Sequence, residues 1–260
     1  MILTGKIERL RCLVGEARRR GRVITLVPTM GAIHNGHLAL IRAAGKKGAC
    51  VVVSIFVNPT QFGPKEDYNK YPRSLAQDKK LLKKAGVDII FYPSVREMYQ
   101  AGFSTYVTEQ RLTNCMCGLF RPGHFRGVTT VVLKLFNIVQ PDIAFLGQKD
   151  YQQALVIKKM TRDLNLPVKV IIVPTVRDPD GLALSSRNKY LGLEERRRAL
   201  ALYRTLKGKK VVSRVAGIKL DYFIAVDKDT LTPVSRKRKG TLMAIAGRVG
   251  KTRLIDNIII

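Results

Sequence analysis

The sequence lacks any run of about 18 consecutive apolar residues, the length from which a membrane-spanning helix is built. Its N-terminus is charged and amphipathic, with neither the continuous apolar stretch nor the small-residue cleavage site of a secretory signal. Cysteine is scarce: four residues in 260 do not make a disulfide framework, and no Cys/His spacing matches a zinc finger. These absences predict a globular cytoplasmic protein with reduced thiols, without membrane contact and without metal-ligating residues of its own.

Acidic residues are also few: 19 Asp and Glu stand against 47 Lys and Arg, which gives a formal net charge of +28. Such a charge makes nucleic acid a candidate partner. However, the basic residues are spread along the whole chain, without an aromatic-interleaved RNA-recognition pattern or a heptad-linked basic region. We therefore expect a solvated basic surface that attracts anionic substrates, and nucleic-acid binding is the less favoured interpretation.

Short runs of β-branched residues alternate with longer amphipathic stretches, which is typical of a parallel α/β sheet. The pattern predicts strands over 22–27, 50–57, 87–93, 142–147 and 168–176, and helices over 1–20, 37–47, 74–85, 127–140 and 151–165. This order favours a doubly wound, nucleotide-binding sheet with helices on both faces. From about residue 177 onward we expect a small α+β domain, with a helix over 193–207 and strands near 221–227 and 241–248.

Histidine is rare, and all three histidines lie in candidate motifs. His34 and His37 belong to an H-x-G-H sequence between a predicted strand and a predicted helix. A helix N-terminus offers unpaired N–H groups to an anion, and Gly36 lets the backbone approach a phosphate. Histidines there can donate hydrogen bonds to charge that develops at phosphorus. The alternative is a pair of histidines that cap a helix or fill a core, but the position after VPTMG favours phosphate binding.

A second motif, Ser185-Ser186-Arg187, follows the last predicted strand of the sheet. Two hydroxyls and a guanidinium form a compact set of donors that matches phosphate oxygens. A plain polar loop is the alternative for this motif alone. An early H-x-G-H combined with a late loop of this kind is the arrangement of nucleotidylyl transferases, in which a carboxylate or phosphate attacks the α-phosphate of ATP and pyrophosphate leaves.

Polar residues also follow two other predicted strands, in GQKDYQQ at 147–153 and NPTQF at 58–62. Ligands of open α/β sheets bind at the carboxyl ends of strands. There, Lys149 could reach a phosphate, Asp150 could accept from ribose hydroxyls, and Gln153 lies one helical turn further along. Gln61 binds substrate or caps a turn, and a solvated first turn is the alternative for 147–153. A basic, glycine-rich loop at 121–127 precedes the helix over 127–140.

Together these stretches resemble the pantothenate synthetase family. The matching runs occur in the family order and cover most of residues 20–195 and the last twenty residues: PTMGAIHNGHLAL, VVVSIFVNPTQFGPKEDYNKYPR, RPGHFRGVTTVVLKLFNIVQPDIAFLGQKDYQQ, DGLALSSRNKYL and RVGKTRLIDN. The resemblance implies a Rossmann-like domain over 1–176, a small C-terminal lid over 177–260 and a homodimer. It also implies a two-step reaction, in which pantoate and Mg²⁺-ATP form pantoyl adenylate and pyrophosphate, and β-alanine then displaces AMP.

The resemblance further implies roles for single residues. Those implied for ATP binding are Met30, His34, His37, Gly147, Lys149, Asp150, Val176, Leu184, Ser185, Ser186 and Arg187. Among them, the catalytic contacts to phosphate come from His34, His37, Lys149, Ser185, Ser186 and Arg187. Those implied for pantoate binding are Asn58, Gln61 and Gln153.

The chain departs from the family pattern in two features. The segment between Leu206 and Leu220 is shorter than the family's helical stretch, which predicts a reduced lid. The chain is also far more basic than the family usually is. Two other functions remain as alternatives: another H-x-G-H nucleotidylyl transferase, or a basic nucleic-acid-binding protein derived from one.

Overall fold

The computed structural model describes residues 1–46, 49–64, 66–209, 212 and 215–260 of the chain. The first six strands are β1 (Ile2–Thr4), β2 (Ile24–Thr29), β3 (Cys50–Ile55), β4 (Ile89–Phe91), β5 (Ile143–Gly147) and β6 (Lys169–Val173). They form one parallel sheet in the spatial order β1-β4-β3-β2-β5-β6. The last three strands are β7 (Ile218–Asp227), β8 (Thr241–Val249) and β9 (Thr252–Ile259). They form a separate antiparallel sheet in the order β7-β8-β9.

Helices connect the strands of the larger sheet and cover both of its faces. They are α1 (Ile7–Arg19), α2 (Asn35–Ala44), α3 (Leu75–Lys84), α4 (Val95–Met98), α5 (Cys117–Phe120), α6 (His124–Val139) and α7 (Tyr151–Asp163); α8 (Leu193–Leu206) precedes the smaller sheet. The predicted α/β fold, with a parallel sheet and a small C-terminal α+β part, is confirmed. None of the helices in the described ranges combines the length and the apolar character that crossing a membrane requires.

The core explains why β3 is uniformly apolar. Successive residues of a strand point to opposite faces of the sheet. Cys50 and Val52 pack with residues of α1, α6 and α7, whereas Val51 and Val53 pack with residues of α2 and α3. All four are at most 2% exposed. A strand buried on both faces cannot alternate between apolar and polar residues, so the run CVVVSI forms the centre of the sheet.

Two elements differ from the sequence prediction. Residues 2–4, predicted as the start of a helix, form the edge strand β1, which pairs in parallel with Ile89–Phe91. The helix begins only at Ile7, after Gly5, where a Cβ would lie 2.8 Å from the Tyr92 carbonyl oxygen. The strand β9 was not predicted at all. β1 owes its conformation to pairing with residues distant in sequence, which a local pattern does not contain. β9, by contrast, folds back on β8 across the short turn at Gly250 and Lys251 and pairs with residues close in sequence.

The topology creates a crevice beside β2. On one side β2 pairs with β3, and on the other with β5, and β5 in turn pairs with β6. The connections that leave β2 and β5 therefore run in opposite directions from neighbouring strands. Such a switch point leaves an opening at the carboxyl ends of the strands, where ligands of open α/β sheets bind.

The C-terminal part packs α8 against the antiparallel sheet through a second apolar core. Ala199 and Leu202 of α8 cluster there with Met243 and Ile245 of β8, and each is at most 3% exposed. The segment 206–220, for which the sequence predicts a shortened lid, includes residues 210, 211, 213 and 214, which lie outside the described residues. The predicted domain boundary at 176/177 stays a prediction.

Candidate active site

The loop that follows β2 has an unusual backbone. Gly31 and Ala32 both have positive φ angles, of 84° and 51°. This left-handed region suits glycine and is uncommon for alanine. The carboxylate of Asp78 on α3, which is 2% exposed, accepts hydrogen bonds from the backbone N–H groups of Ala32 and Ile33 at 2.9 and 2.8 Å. Asp78 therefore sets the path by which the chain enters α2.

Backbone donors orient the two histidines at the start of α2. His34 is the N-cap residue, and its Nδ1 accepts a hydrogen bond from the Gly36 N–H at 3.1 Å. The Nδ1 of His37 accepts from the His34 N–H at 3.4 Å, and the two ring centroids are 4.0 Å apart. A neutral imidazole that accepts at Nδ1 carries its proton on Nε2. Both rings therefore present an Nε2–H donor.

The electrostatic surroundings keep both rings neutral near pH 7. Burial, followed by the positive charge of Lys149, lowers the pKa of His34 to about 4. Burial, His34 and Lys149 together lower the pKa of His37 to about 3. Because neither ring is protonated at physiological pH, each offers a hydrogen-bond donor without a formal charge.

The next group of side chains leaves the carboxyl end of β5, on the opposite side of the crevice. A 3₁₀ turn over Gln148–Asp150 places Lys149 and Asp150 there, with Lys149 Nζ 3.3 Å from an Asp150 carboxylate oxygen. Burial acts to raise the pKa of Asp150, but the charges of Lys149 and Arg187 outweigh it and lower that pKa. Asp150 is therefore an anionic hydrogen-bond acceptor beside a cation.

The Ser-Ser-Arg loop is tied to the segment 67–71. The Arg187 guanidinium donates two hydrogen bonds to Asp67, at 3.0 and 2.8 Å. Tyr71 Oη and Ser186 Oγ share a hydrogen bond of 2.8 Å, and Ser185 Oγ accepts from the Arg187 N–H at 3.3 Å. The loop is thus held against segment 67–71 by two independent contacts.

A third group, at the end of β3, is a network of amides. Asn58 Nδ2 donates to Gln61 Oε1 at 3.2 Å and to the Gly127 carbonyl at 3.1 Å. Tyr99 Oη donates to Asn58 Oδ1 at 2.8 Å, and Gln61 Nε2 donates to Met30 Sδ at 3.1 Å. Asn58 and Gln61 are 1% and 8% exposed, so this wall of the crevice is well ordered.

His124 supports Gln61 from behind. Its Nδ1–H donates to the Gln61 carbonyl at 2.8 Å, and its Nε2 accepts from Arg121 at 2.9 Å. Arg121 is in turn paired with both carboxylate oxygens of Glu66, at 2.6 and 2.7 Å. Burial and the charge of Arg121 lower the pKa of His124 to about 3. This histidine thus has the opposite tautomer from the other two, and it acts on a backbone carbonyl.

All fourteen residues that the sequence analysis singled out line one cavity of about 210 Å³ at the switch point. They are Met30, His34, His37, Asn58, Gln61, Gly147, Lys149, Asp150, Gln153, Val176, Leu184, Ser185, Ser186 and Arg187. A wider cleft of about 780 Å³ shares Lys149, Asp150, Gln153, Ser185 and Arg187 with this cavity and extends along β8 and β9 of the smaller sheet. The site therefore has a narrow inner part and a broad outer part.

Several lining or supporting residues were not assigned from the sequence. Arg121 and His124 line the cavity; the sequence analysis placed both in a candidate motif, the basic, glycine-rich loop 121–127, but gave neither a role. Tyr71 also lines it, but nothing in the local sequence distinguishes this tyrosine from an ordinary core residue. Asp78 gave no signal either, since it looks like one acidic residue in an amphipathic helix.

The parallel sheet, the crevice at its switch point and the H-x-G-H pair at a helix N-terminus define an α/β enzyme of the nucleotidylyl-transferase type. The chain matches the family model for pantoate–beta-alanine ligase over residues 2–259, and it belongs to that family. It is therefore a ligase. These full-length matches do not favour the two alternatives, another nucleotidylyl transferase or a nucleic-acid-binding protein.

Known proteins resemble this chain over nearly their whole length. A pantothenate synthetase of Moorella thermoacetica is 53% identical, with all of this chain and 99% of the relative covered. That alignment is 279 residues long, whereas this chain has 260. At least 19 positions of the alignment are therefore gaps in this chain. The crystal structure of a Thermus thermophilus pantothenate synthetase is 46% identical with a TM-score of 0.93, covering 100% and 99% of the two chains. A Francisella tularensis pantoate–beta-alanine ligase, solved in complex with beta-gamma ATP and beta-alanine, is 37% identical with a TM-score of 0.86, covering 100% and 97%.

Proposed function

We propose that this chain condenses pantoate with β-alanine at the expense of ATP, through a pantoyl-adenylate intermediate. The pantoate carboxylate attacks the α-phosphorus of ATP, an acyl–phosphate bond forms, and pyrophosphate leaves. The β-alanine amine then attacks the acyl carbonyl, an amide bond forms, and AMP leaves. The observation that carries the proposal is the convergence of two neutral histidine donors, a lysine and the Ser-Ser-Arg loop on one cavity in a chain of this family.

The enzyme's part in the first step is positioning and charge stabilisation. Pantoate is already an anion near pH 7, so its attack on phosphorus needs no general base. Negative charge grows on the phosphate oxygens in the transition state, where His34 and His37 donate through Nε2–H and Lys149 through Nζ. Ser185, Ser186 and Arg187 bind the remaining phosphate oxygens. One donor of this kind changes a rate by about 10²- to 10³-fold.

The family resemblance assigns the residues for the other substrate groups, and all of these residues line the cavity. Gln61 and Gln153 bind pantoate, because their amides can pair with both its hydroxyls and its carboxylate. Asn58 helps to position pantoate by holding the Gln61 side chain. Asp150 accepts from the ribose hydroxyls. Val176 and Leu184, joined by a hydrogen bond from the Leu184 N–H to the Val176 carbonyl at 3.0 Å, border the adenine together with Met30 and Gly147.

Magnesium enters with ATP in this proposal. Among the described residues, no group of three or more His, Cys, Asp or Glu could hold a metal ion. Mg²⁺ commonly binds through substrate phosphates rather than in a cage of protein ligands, which fits a site without such a group. The ion supplies positive charge that neutralises the phosphates; the residues described above orient them.

We further propose a cytoplasmic homodimer, as the family resemblance implies. Leu119 and Phe120 on α5 are 67% and 45% exposed, which is the kind of apolar surface that a second subunit covers. Light scattering on the purified protein should give twice the mass of the 29.1 kDa chain. A monomeric mass at micromolar concentration would remove the dimer from the proposal. Fractionation of cells that express the protein tests its location.

The decisive experiment is pyrophosphate release from Mg²⁺-ATP by the purified protein. We expect release that depends on pantoate and that becomes multiple-turnover when β-alanine is added. If the folded protein releases no pyrophosphate with pantoate, the proposed substrate is wrong.

The variant His34→Asn tests the histidine donors without removing the helix cap. Asparagine is a favoured N-cap residue, so α2 should keep its start, but the side chain is too short to replace the Nε2–H donor. We expect pantoate-dependent release to fall by about 10²-fold or more, with the thermal midpoint nearly unchanged. Activity close to that of the unmodified protein would exclude His34 from phosphate binding.

A further inference from the structure

The last strand of the smaller sheet lines the wider cleft and contacts the loops that form the walls of the cavity. Its sequence RLIDN, at 253–257, is part of the final matching run, yet the proposed reaction gives it no role. Asp256 and Asn257 of β9 are 5% and 4% exposed, and both make their polar contacts with loops of the nucleotide site. These contacts join the C-terminal sheet to two separate segments, which follow β5 and β6 of the larger sheet.

Asn257 holds the turn that carries Lys149 and Asp150. Its Nδ2 donates to the carbonyls of Gln148 and Lys149, each at 2.9 Å, and its Oδ1 accepts from Gln148 Nε2 at 3.4 Å. One buried amide therefore uses both of its donor hydrogens on two consecutive backbone carbonyls. Among the described residues, the Lys149 ammonium pairs only with Asp150, its neighbour in sequence, so the position of the backbone determines where this cation can reach.

Asp256 holds the other segment through Arg177. The Arg177 guanidinium donates to both carboxylate oxygens of Asp256, at 2.6 and 2.8 Å, and to the Asn257 carbonyl at 3.2 Å. It also donates to the Gly181 carbonyl at 3.1 Å and lies 4.1 Å from the ring centroid of Tyr203. Arg177 directly follows Val176, which lines the cavity, so this ion pair fixes the second loop around the nucleotide.

We propose that Asn257 is a positioning residue for the nucleotide, acting through the backbone of Gln148 and Lys149, with Asp256 doing the same for the loop after Val176. The inference rests on the proposed roles of Lys149 and Val176 at ATP. Asn257 does not contact the reacting atoms. Its effect arises because a displacement of about 1 Å in a group that contacts the transition state costs about 10²-fold in rate.

The test variant is Asn257→Asp, which keeps the shape of the side chain. It replaces two N–H donors by carboxylate oxygens that face two carbonyl oxygens, so the turn must move. We expect the KM for ATP to rise and the kcat of pyrophosphate release to fall, each by about tenfold or more. The KM for pantoate should change less than about twofold, because within the described part of the chain neither Asn58 nor Gln61 has a hydrogen bond to β9.

The matched control is Ile245→Ala on the neighbouring strand β8. Ile245 pairs with Asp256 across the sheet and is fully buried in the core with α8, so its truncation loosens the same sheet. We expect a lower thermal midpoint but an unchanged KM for ATP. If Asn257→Asp has the kinetic constants of Ile245→Ala, or an unchanged KM for ATP, the positioning role is wrong. If Asn257→Asp does not fold, Asn257→Ala is measured in its place, with the same expected and refuting results.

The variant Lys149→Ala separates this inference from the function on which it rests. If Lys149→Ala releases pyrophosphate at the rate of the unmodified protein, the proposed role of Lys149 fails. If Lys149→Ala is impaired while the folded Asn257 variant keeps its KM for ATP, only the positioning inference fails.

Discussion

Gly127 packs closely against the backbone that carries Gln61, on the pantoate side of the cavity. This glycine lies in α6, where the helix packs against the 3₁₀ turn Pro59–Gln61. A Cβ at this position would lie 2.5 Å from the Thr60 carbonyl carbon and 2.6 Å from the Gln61 nitrogen, and closer still to the Thr60 oxygen. The 2.6 Å contact is about 0.8 Å short of the 3.4 Å at which ordinary van der Waals contact begins. Since these are backbone atoms, Gly127→Ala must displace the turn or the helix.

The size of the effect follows from two opposing terms. Overpacking of this kind costs about 1–3 kcal/mol, whereas replacing a helical glycine by alanine gains up to about 1 kcal/mol. We therefore expect a net loss of up to about 3 kcal/mol in the free energy of unfolding. Asn58 donates to the Gly127 carbonyl, so both Asn58 and Gln61 move with the turn. A displacement near 1 Å predicts a fall of about 10²-fold in kcat/KM for pantoate.

The control for Gly127→Ala is Gly15→Ala in α1. The nearest atom to a Cβ there is an Arg19 Nη1 at 3.7 Å, an ordinary van der Waals distance, so alanine fits without overlap. This variant should be as stable as the unmodified protein or slightly more so, with unchanged kinetics. Urea denaturation and pantoate-dependent pyrophosphate release measure both variants. If Gly127→Ala gains stability as Gly15→Ala does and keeps its kcat/KM, the packing argument is refuted.

Three further predictions concern other contacts. The pKa values of His37 and His124 in the folded state, about 3 each, lie below the value near 6.5 of the unfolded chain. The unfolded state therefore binds more protons below pH 6.5, and each histidine lowers the free energy of unfolding by about 1.4 kcal/mol per pH unit as pH falls. His124→Gln should reduce this slope in denaturation series between pH 4 and 7. An unchanged slope contradicts the low pKa of His124. Asp78→Ala leaves two loop N–H groups without their charged acceptor and should cost about 3 kcal/mol or more in urea denaturation, so a loss below about 1 kcal/mol refutes its role. Asp67→Asn weakens the ion pair that Arg187 makes when no ATP is bound, which leaves the guanidinium free for phosphate, so the KM for ATP should fall severalfold. A rise in this KM would mean that Asp67 positions Arg187 for ATP.

Much of the fold could be predicted because local patterns agree with the tertiary structure there. The run CVVVSI is apolar throughout, and it is the central strand β3. The amphipathic run that begins at Tyr151 is the helix α7. By contrast, residues 2–4 resemble the start of the following helix, and only the pairing with β4 makes them a strand. A pattern read along the chain cannot register a partner that lies 87 residues away, as Ile89 does from Ile2.

Some residues of the candidate site could be predicted from local sequence, and others could not. His34, His37, Lys149 and Arg187 could be singled out because phosphate chemistry needs particular side chains beside strand ends and helix starts, and these are local features. Asp78 could not be singled out from the sequence, because its role depends on where α3 passes the loop after β2. The basic surface that we expect from the net charge of +28 has no role in the proposed reaction and stays a prediction.

The sequence by itself determined the class of fold, the family and the residues whose chemistry suits ATP, since each depends on residue type and order along the chain. Only the tertiary structure decided which nitrogen of each histidine carries the proton, because that depends on the backbone groups that face the ring. It also decided that Asn257, near the end of the chain, supports the turn of Lys149. The physical reason is that hydrogen bonds and packing act over a few ångströms in space, whatever the separation in sequence.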